Sequence, residues 1–141
     1  MTIGETDLGT LLRTLDPVLD GNEWVFVRVG DSEVPKYMPH ALASFREPEG
    51  MTLVMPRIKA TEIEHSSAPM ARITLRVHSS LEAVGLTAAV SRVLANDGIS
   101  ANMIAAYYHD HVFVPQALAD RAMNCLRGLS RAGSSFDPRA C

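Results

Sequence analysis

Residues 72–115 read RITLRVHSSLEAVGLTAAVSRVLANDGISANMIAAYYHDHVFVP, and this stretch decides the fold. Residues 72–77 alternate. Ile73, Leu75 and Val77 face one way and Arg72, Thr74 and Arg76 the other, the pattern of a half-buried strand. Residues 78–85 read as a loop. Leu86, Ala89, Val90, Val93 and Leu94 then recur at helical spacing. They predict a helix over 86–95 that ends at Asn96-Asp97-Gly98, with Gly98 suited to the left-handed position after a helix. A strand follows over 99–108, strongest in MIAAYY. His109-Asp110 reads as a tight turn and 111–114 as the return strand. Pro115 opens a last helix, where its missing amide hydrogen costs little, and Leu118, Ala122, Cys125, Leu126 and Leu129 form its apolar stripe. The order β-α-β-β-α predicts an α+β fold of ferredoxin-like type, an antiparallel sheet with helices on one face.

Working back toward the N-terminus, the first half reads as a degraded copy. Leu8, Leu11, Leu12 and Leu15 mark one face of a short helix over 6–15, capped by Thr6 or Asp7, weakened by Gly9 and stopped before Pro17. Asp20-Gly21-Asn22 signals a turn. WVFVRV, residues 24–29, is a strand apolar on both faces until Arg28, hence central in a sheet. After a loop over 30–39, Met38, Leu42 and Phe45 mark a short helix, and 51–55 form a second strand. Residues 56–70 run over the surface, with Ile58 and Ile63 packing and a boundary near 66–69. The expectation is two tandem βαββα units, 1–66 and 67–131, followed by a flexible tail over 132–141. No residue-level repeat links the halves by eye.

The chain has 141 residues, 47% hydrophobic and 21% charged, as in ordinary globular proteins. Lys plus Arg less Asp plus Glu is 13 − 16 = −3, which argues against sequence-independent nucleic-acid binding. No apolar run approaches the ~20 residues that cross a bilayer. The first residues lack the basic and apolar regions of a secretory signal. Two cysteines, Cys125 and Cys141, cannot build a disulfide framework or a thiolate metal cage. The expectation is a cytoplasmic protein that engages neither nucleic acid nor membrane.

Three segments give the chain a resemblance to the ACT domain, a ligand-sensing ferredoxin-like module. Val84-Gly85-Leu86 resembles the Gly-Leu pair that opens the first ACT helix. Asn96-Asp97-Gly98-Ile99-Ser100 resembles the exit of that helix into the second strand. The hairpin from Tyr107 to Pro115 is similar to the Asp-His-x-x-Val-Pro hairpin of the subgroup that includes the CASTOR-type arginine sensors. VHSSLEAVGLTAAVS and AAYYHDHVFVP further resemble a family of short bacterial proteins with two tandem ACT-like units and no known function. The resemblance implies a non-catalytic regulatory protein, without cofactor, that binds an amino acid or similar small metabolite. It also implies a homo-oligomer, most simply a homodimer. Carried over by position, it nominates Ser80 and Gly85 in the loop, Ala106 and Tyr107 on the strand, and Asp110 at the turn. Where the arginine sensors carry an acidic residue two places before the helix-opening glycine, this chain has Ala83. Their Ser-Thr-Phe run is Ala105-Ala106-Tyr107 here, so arginine is not implied.

Other readings compete at several residues. His109, Asp110 and His111, with His78 and His65, could ligate a metal, but turn chemistry is the simpler account. Ser79-Ser80 with Glu82 reads as helix capping rather than as nucleophile and base. Cys125 reads as a small buried hydrophobe, and Trp24 as core or interface. Tyr107 and Tyr108 alternate across their strand. Met103 lies near the nominated pocket. Arg72, Thr74 and Arg76 form a solvated face or meet an acidic partner strand. The functional alternatives are an interaction module that docks on an enzyme or transporter without a metabolite, and a small enzyme using the His-Asp-His hairpin.

Overall fold

Asp7 caps the first helix, α1 (Leu8–Arg13), by accepting from the Thr10 amide at 2.9 Å. The helix ends two residues short of Leu15, which is nonetheless fully buried with Leu11 and Leu12. The structure, a computed structural model, describes residues 4–133; the expected tail lies, from 134 onward, outside the described residues. The remaining elements are β1 (Pro17–Val29), α2 (Val34–Tyr37) between two 3₁₀ turns, β2 (Ala43–Glu47), β3 (Gly50–Pro56), β4 (Met70–Leu75), α3 (Leu86–Asn96), β5 (Asn102–Ala105), β6 (Asp110–Pro115) and α4 (Ala119–Arg131).

The described chain divides into two compact units, residues 21–71 and residues 4–20 with 72–133. In the first, β3 lies between β2 and β1, both antiparallel to it, in a register that sets Phe26 opposite Val54 and Phe45 opposite Thr52. The other edge of β1 is held by residues 65–67, through Arg28 N to His65 O (3.0 Å) and Ser67 N to Phe26 O (2.9 Å). So WVFVRV has bonded neighbours along both edges, the central position in the sheet that its sequence predicts. Val25, Val27, Val29, Tyr37, Met51, Leu53 and Met55 form this unit's core, and Trp24 is buried. Ile63 packs against that core, whereas Ile58 stands out in solvent.

In the second unit the strand order is β5-β6-β4, with the opening residues of β1 beside β4. Arg76 N donates to Asp16 O, and Arg72 pairs with Asp20, so residues 16–20 run antiparallel to 72–76. Ile73, Leu75 and Val77 point inward as the alternation predicts. Helix α3 ends in a Schellman motif: Ile99 N reaches Leu94 O and Gly98 N reaches Ala95 O, both at 2.9 Å, with Gly98 at φ 70°. Leu94 and Ile99, the hydrophobic pair of that motif, are buried. Helix α1 packs on α3 and α4.

Five expectations change. Asp20-Gly21-Asn22 does not turn but continues inside β1, because Asp20 is held in the ladder by Arg72 at 2.6 Å. Phe45 lies on strand β2, largely exposed, rather than on a helix. The unit of 21–71 follows its hairpin with a 3₁₀ turn (Arg57–Lys59) instead of an α-helix. The residues beyond that turn carry Pro69 and no helical apolar stripe. Tyr107 and Tyr108 belong to the hairpin turn, closed by Ala106 N to His109 O at 3.0 Å, and both are exposed (67% and 60%). Cys125 is only partly buried and sits 3.6 Å from Asp97 Oδ2.

A repeat hidden in the sequence is visible in the backbone. Each unit carries strand, helix, strand, strand in the same spatial order, β2-β3-β1 and β5-β6-β4. Each hairpin closes on a proline of near-equal conformation, Pro56 (φ −58°, ψ 133°) and Pro115 (φ −53°, ψ 133°). A 3₁₀ turn and a buried alanine, Ala60 or Ala119, follow each.

Candidate ligand site

The alternation that buries Ile73, Leu75 and Val77 carries one step further, to Ser79, which is also buried. The chain there is pinned by the N-terminal segment. Glu5 N donates to His78 O at 2.9 Å and Ser80 N to Glu5 O at 3.0 Å, a one-residue parallel bridge to Ser79. Gly4 is required for this approach, since a Cβ there would lie 2.6 Å from Ser80 N. Ser80 then folds the loop on itself: its Oγ accepts from Glu82 N and its carbonyl from Ala83 N. The helix-capping role expected of the serines is therefore not found, since Ser80 Oγ closes a turn within the loop and no side chain caps α3.

Gly85 precedes α3 in the left-handed conformation (φ 102°). Its carbonyl starts the helix by accepting from Ala89 N at 2.9 Å. A Cβ at Gly85 would lie 2.9 Å from Leu8 Cδ2, so both backbone and space favour glycine. No side chain caps α3, which leaves its first-turn amides available to an acceptor.

Between this loop, the start of α3 and the hairpin lies a cavity of about 80 Å³, lined by Ser79, Ser80, Leu86, Thr87, Ala105 and Asp110 among others. Its size suits a charged head group, with the rest of a ligand extending outward. Asp110 is half-buried, and its Oδ2 accepts from Ser79 Oγ at 3.4 Å. Burial pushes its carboxyl above the ordinary range, against the weaker downward pull of the Ser79 hydroxyl and of His111 and His109. The cleft thus sets helix amides that favour an anion beside a carboxylate that favours a cation, the complement of a zwitterion.

Of the nominated residues, the structure brings Ser80 and Asp110 into the lining, and Gly85 adjoins it. Ala106 and Tyr107 fall in the exposed hairpin turn, outside the lining. Ser79, Ala105, Leu86 and Thr87 escaped the reading of the sequence. Ser79 was legible as the continuation of the inward face, but Ala105 was not, because its position depends on where the hairpin turns. Tyr107 meets Tyr108 edge-on at 4.9 Å, and Tyr108 meets His78 at 5.5 Å, one residue from Asp110's partner Ser79. Leu81 and Val84 on the loop are exposed as well.

His111 Nδ1 lies 3.0 Å from Thr74 Oγ1, and burial, then Arg72, lowers its pKa. Among the described residues no three His, Cys, Asp or Glu side chains are grouped to hold a metal ion. The Arg72–Arg76 face meets acids within its own chain, Arg72 at Asp20 (2.6 Å) and Arg76 at Asp16 (2.9 Å). Burial and the neighbouring Asp97 carboxylate raise the Cys125 thiol pKa, which disfavours the reactive thiolate.

Family models of the ACT domain match residues 3–72 and 69–128. A Vibrio cholerae protein of unknown function, described as a possible transport protein, is 46% identical over 87% of this chain and 95% of its own, with a TM-score of 0.77. The regulatory subunit of aspartate kinase from Thermus flavus shares the fold at 11% identity, covering 80% of this chain and 95% of that one (TM-score 0.58). Clostridium acetobutylicum aspartate kinase does so at 12% identity over 89% of this chain and 36% of that enzyme (TM-score 0.66). No curated protein matches. No described helix is long and apolar enough to cross a membrane. The chain belongs to the ACT-domain proteins, with two ACT-type domains in tandem.

Proposed function

We propose that this protein is a non-catalytic regulatory module that binds an amino acid in the cleft between the 78–85 loop and the β5–β6 hairpin. One observation carries the reading: the uncapped start of α3 and the half-buried Asp110 carboxylate line the same small cavity. The ligand carboxylate takes the first-turn amides at Leu86 and Thr87, and its ammonium takes Asp110. Gly85 keeps the approach open, Ser80 shapes the loop, and the ligand side chain leaves toward the turn of Ala106 and Tyr107. Arginine is not favoured over other amino acids, since the acidic residue and Ser-Thr-Phe run of the arginine sensors are absent. We place the repeats at 1–66 and 67–131, and we infer a homodimer formed through sheet edges such as β5, whose outer backbone groups a second copy would satisfy.

The exposed Tyr107–Tyr108 pair, with Leu81 and Val84 also exposed, favours a second reading, an interaction module that docks on an enzyme or transporter without a metabolite. Thermal-shift and calorimetric screening against the proteinogenic amino acids at millimolar concentration separates the two. Native-state binding stabilises the fold by about 2.7 kcal/mol at one hundred times Kd and so raises the melting temperature. A shift with one or a few amino acids, lost in Asp110→Asn, supports the first reading. No shift with any of them overturns it in favour of the second.

A further inference from the structure

A second site lies on the same compact unit, away from the 78–85 loop. Helices α1 and α4 end side by side, where Ser130 Oγ donates to the Arg13 carbonyl at 3.2 Å. Beside this contact is an open cleft of about 500 Å³, lined by Arg13, Asp16, Arg127, Ser130 and Arg131 among others. Arg72, Arg76 and Arg121 of this unit each hold an aspartate at 2.6 to 3.1 Å. Among the described residues, Arg127 and Arg131 have no carboxylate within ion-pair distance, and Arg13 is linked to the Asp7 carboxylate only through Thr10. Arg13 is steadied by a 3.0 Å bond to Thr10 Oγ1. The cleft's own acid, Asp16, is turned onto Arg76. Three arginines therefore line one concave surface of a chain whose net charge is −3.

Counter-charge to the two helix ends accounts for Arg13 and Arg131, which occupy last turns. It does not account for Arg127, a full turn earlier and on the same cleft. Like charges gathered in excess of acids repel, and a bound polyvalent anion relieves that repulsion. Guanidinium forks bind oxyanions bidentately, and a phosphoryl group offers several equivalent oxygens to three of them at once. A nucleic acid is disfavoured, because its affinity rests on many phosphate contacts along an extended basic surface.

We propose that the Arg13–Arg127–Arg131 cleft binds a small phosphorylated metabolite, as a site separate from the Asp110 cleft. The test is calorimetric titration of the full chain with inorganic pyrophosphate, with citrate in a parallel arm, at constant ionic strength. The expected result is one site per chain for pyrophosphate, a Kd at least tenfold weaker in each of Arg127→Gln and Arg131→Gln, and no change in Arg121→Gln, whose arginine is paired elsewhere. Circular dichroism of each variant checks that it is folded. Citrate binding more tightly than pyrophosphate would overturn the assignment to a phosphoryl group. No saturable pyrophosphate heat, or binding unchanged in both cleft variants, would overturn the site and leave these arginines as counter-charges to the helix ends.

Discussion

Asp110→Asn keeps the size and shape of the side chain and removes its charge, so it separates binding from folding. Among the described residues, the side-chain hydrogen bond to Asp110, from Ser79 Oγ, is long at 3.4 Å and contributes well under about 1 kcal/mol. Burial holds the carboxyl pKa above its ordinary value of 3.8, so the ionised form is disfavoured in the folded state. The sign follows. At neutral pH this group costs stability, and the cost is relieved as pH falls through the raised folded value toward the unfolded one. The asparagine variant carries no such cost. Its melting temperature should equal that of the wild type or exceed it by up to about 3 °C, corresponding to roughly 1 kcal/mol for a chain of this size. Binding should move the other way. A charge-assisted hydrogen bond to a ligand ammonium is worth about 2 kcal/mol, hence about a 30-fold weaker Kd. Calorimetry with the amino acid giving the largest thermal shift measures this. The wild-type affinity should also weaken as pH is lowered through the Asp110 titration, while the variant's stays flat. A variant that binds within threefold of the wild type at neutral pH would refute the role given to Asp110.

Three further outcomes test the fold around the site. Phe113 is fully buried on β6, so Phe113→Ala should lower stability by about 3–5 kcal/mol in urea unfolding, and a loss under 1 kcal/mol would contradict its place in the core. Gly98 has positive φ with nothing within 4 Å of an added Cβ, so Gly98→Ala isolates backbone strain and should cost about 1–2 kcal/mol; an unchanged denaturation midpoint would argue against the Schellman cap. In Gly4→Val the added side chain collides with the backbone of Ser79 and Ser80, and the Glu5 bridge should open. Hydrogen exchange at the Ser80 amide should then speed up, and continued protection of that amide would count against the bridge.

Short-range rules read some elements well. Inward Ile73, Leu75 and Val77, helix α3 and the glycine after it all depend on residues within a few positions of one another. The misreadings share a cause in distant partners. Asp20-Gly21-Asn22 has the composition of a turn, but an arginine 52 residues away holds it in a strand. Phe45 continues a helical spacing from Met38, but its backbone pairs with β3. Tyr107 and Tyr108 look like strand residues, but the hairpin turns before them, which moves Tyr107 out of the cleft and brings Ala105 in. The acids beside Arg72 and Arg76 are Asp20 on β1 and Asp16 just before it, neither of them on a partner chain.

The two matched ACT segments show the same division. Residues 4–20 fall within the first match yet belong to the compact unit of 72–133. The sequence alone determined which segments become strand or helix in the second half and where the helix stops, because periodicity and capping are local; the pairing of Ser80 with Asp110 was implied only by the resemblance to the ACT domain. Only the tertiary structure decided that Ser79 and Asp110 face each other across a cavity, that Glu5 occupies the Ser80 amide, and that Arg13 shares a cleft with Arg127 and Arg131. Those placements join residues 31 to 118 positions apart, and no local pattern encodes which distant groups chain closure will bring together.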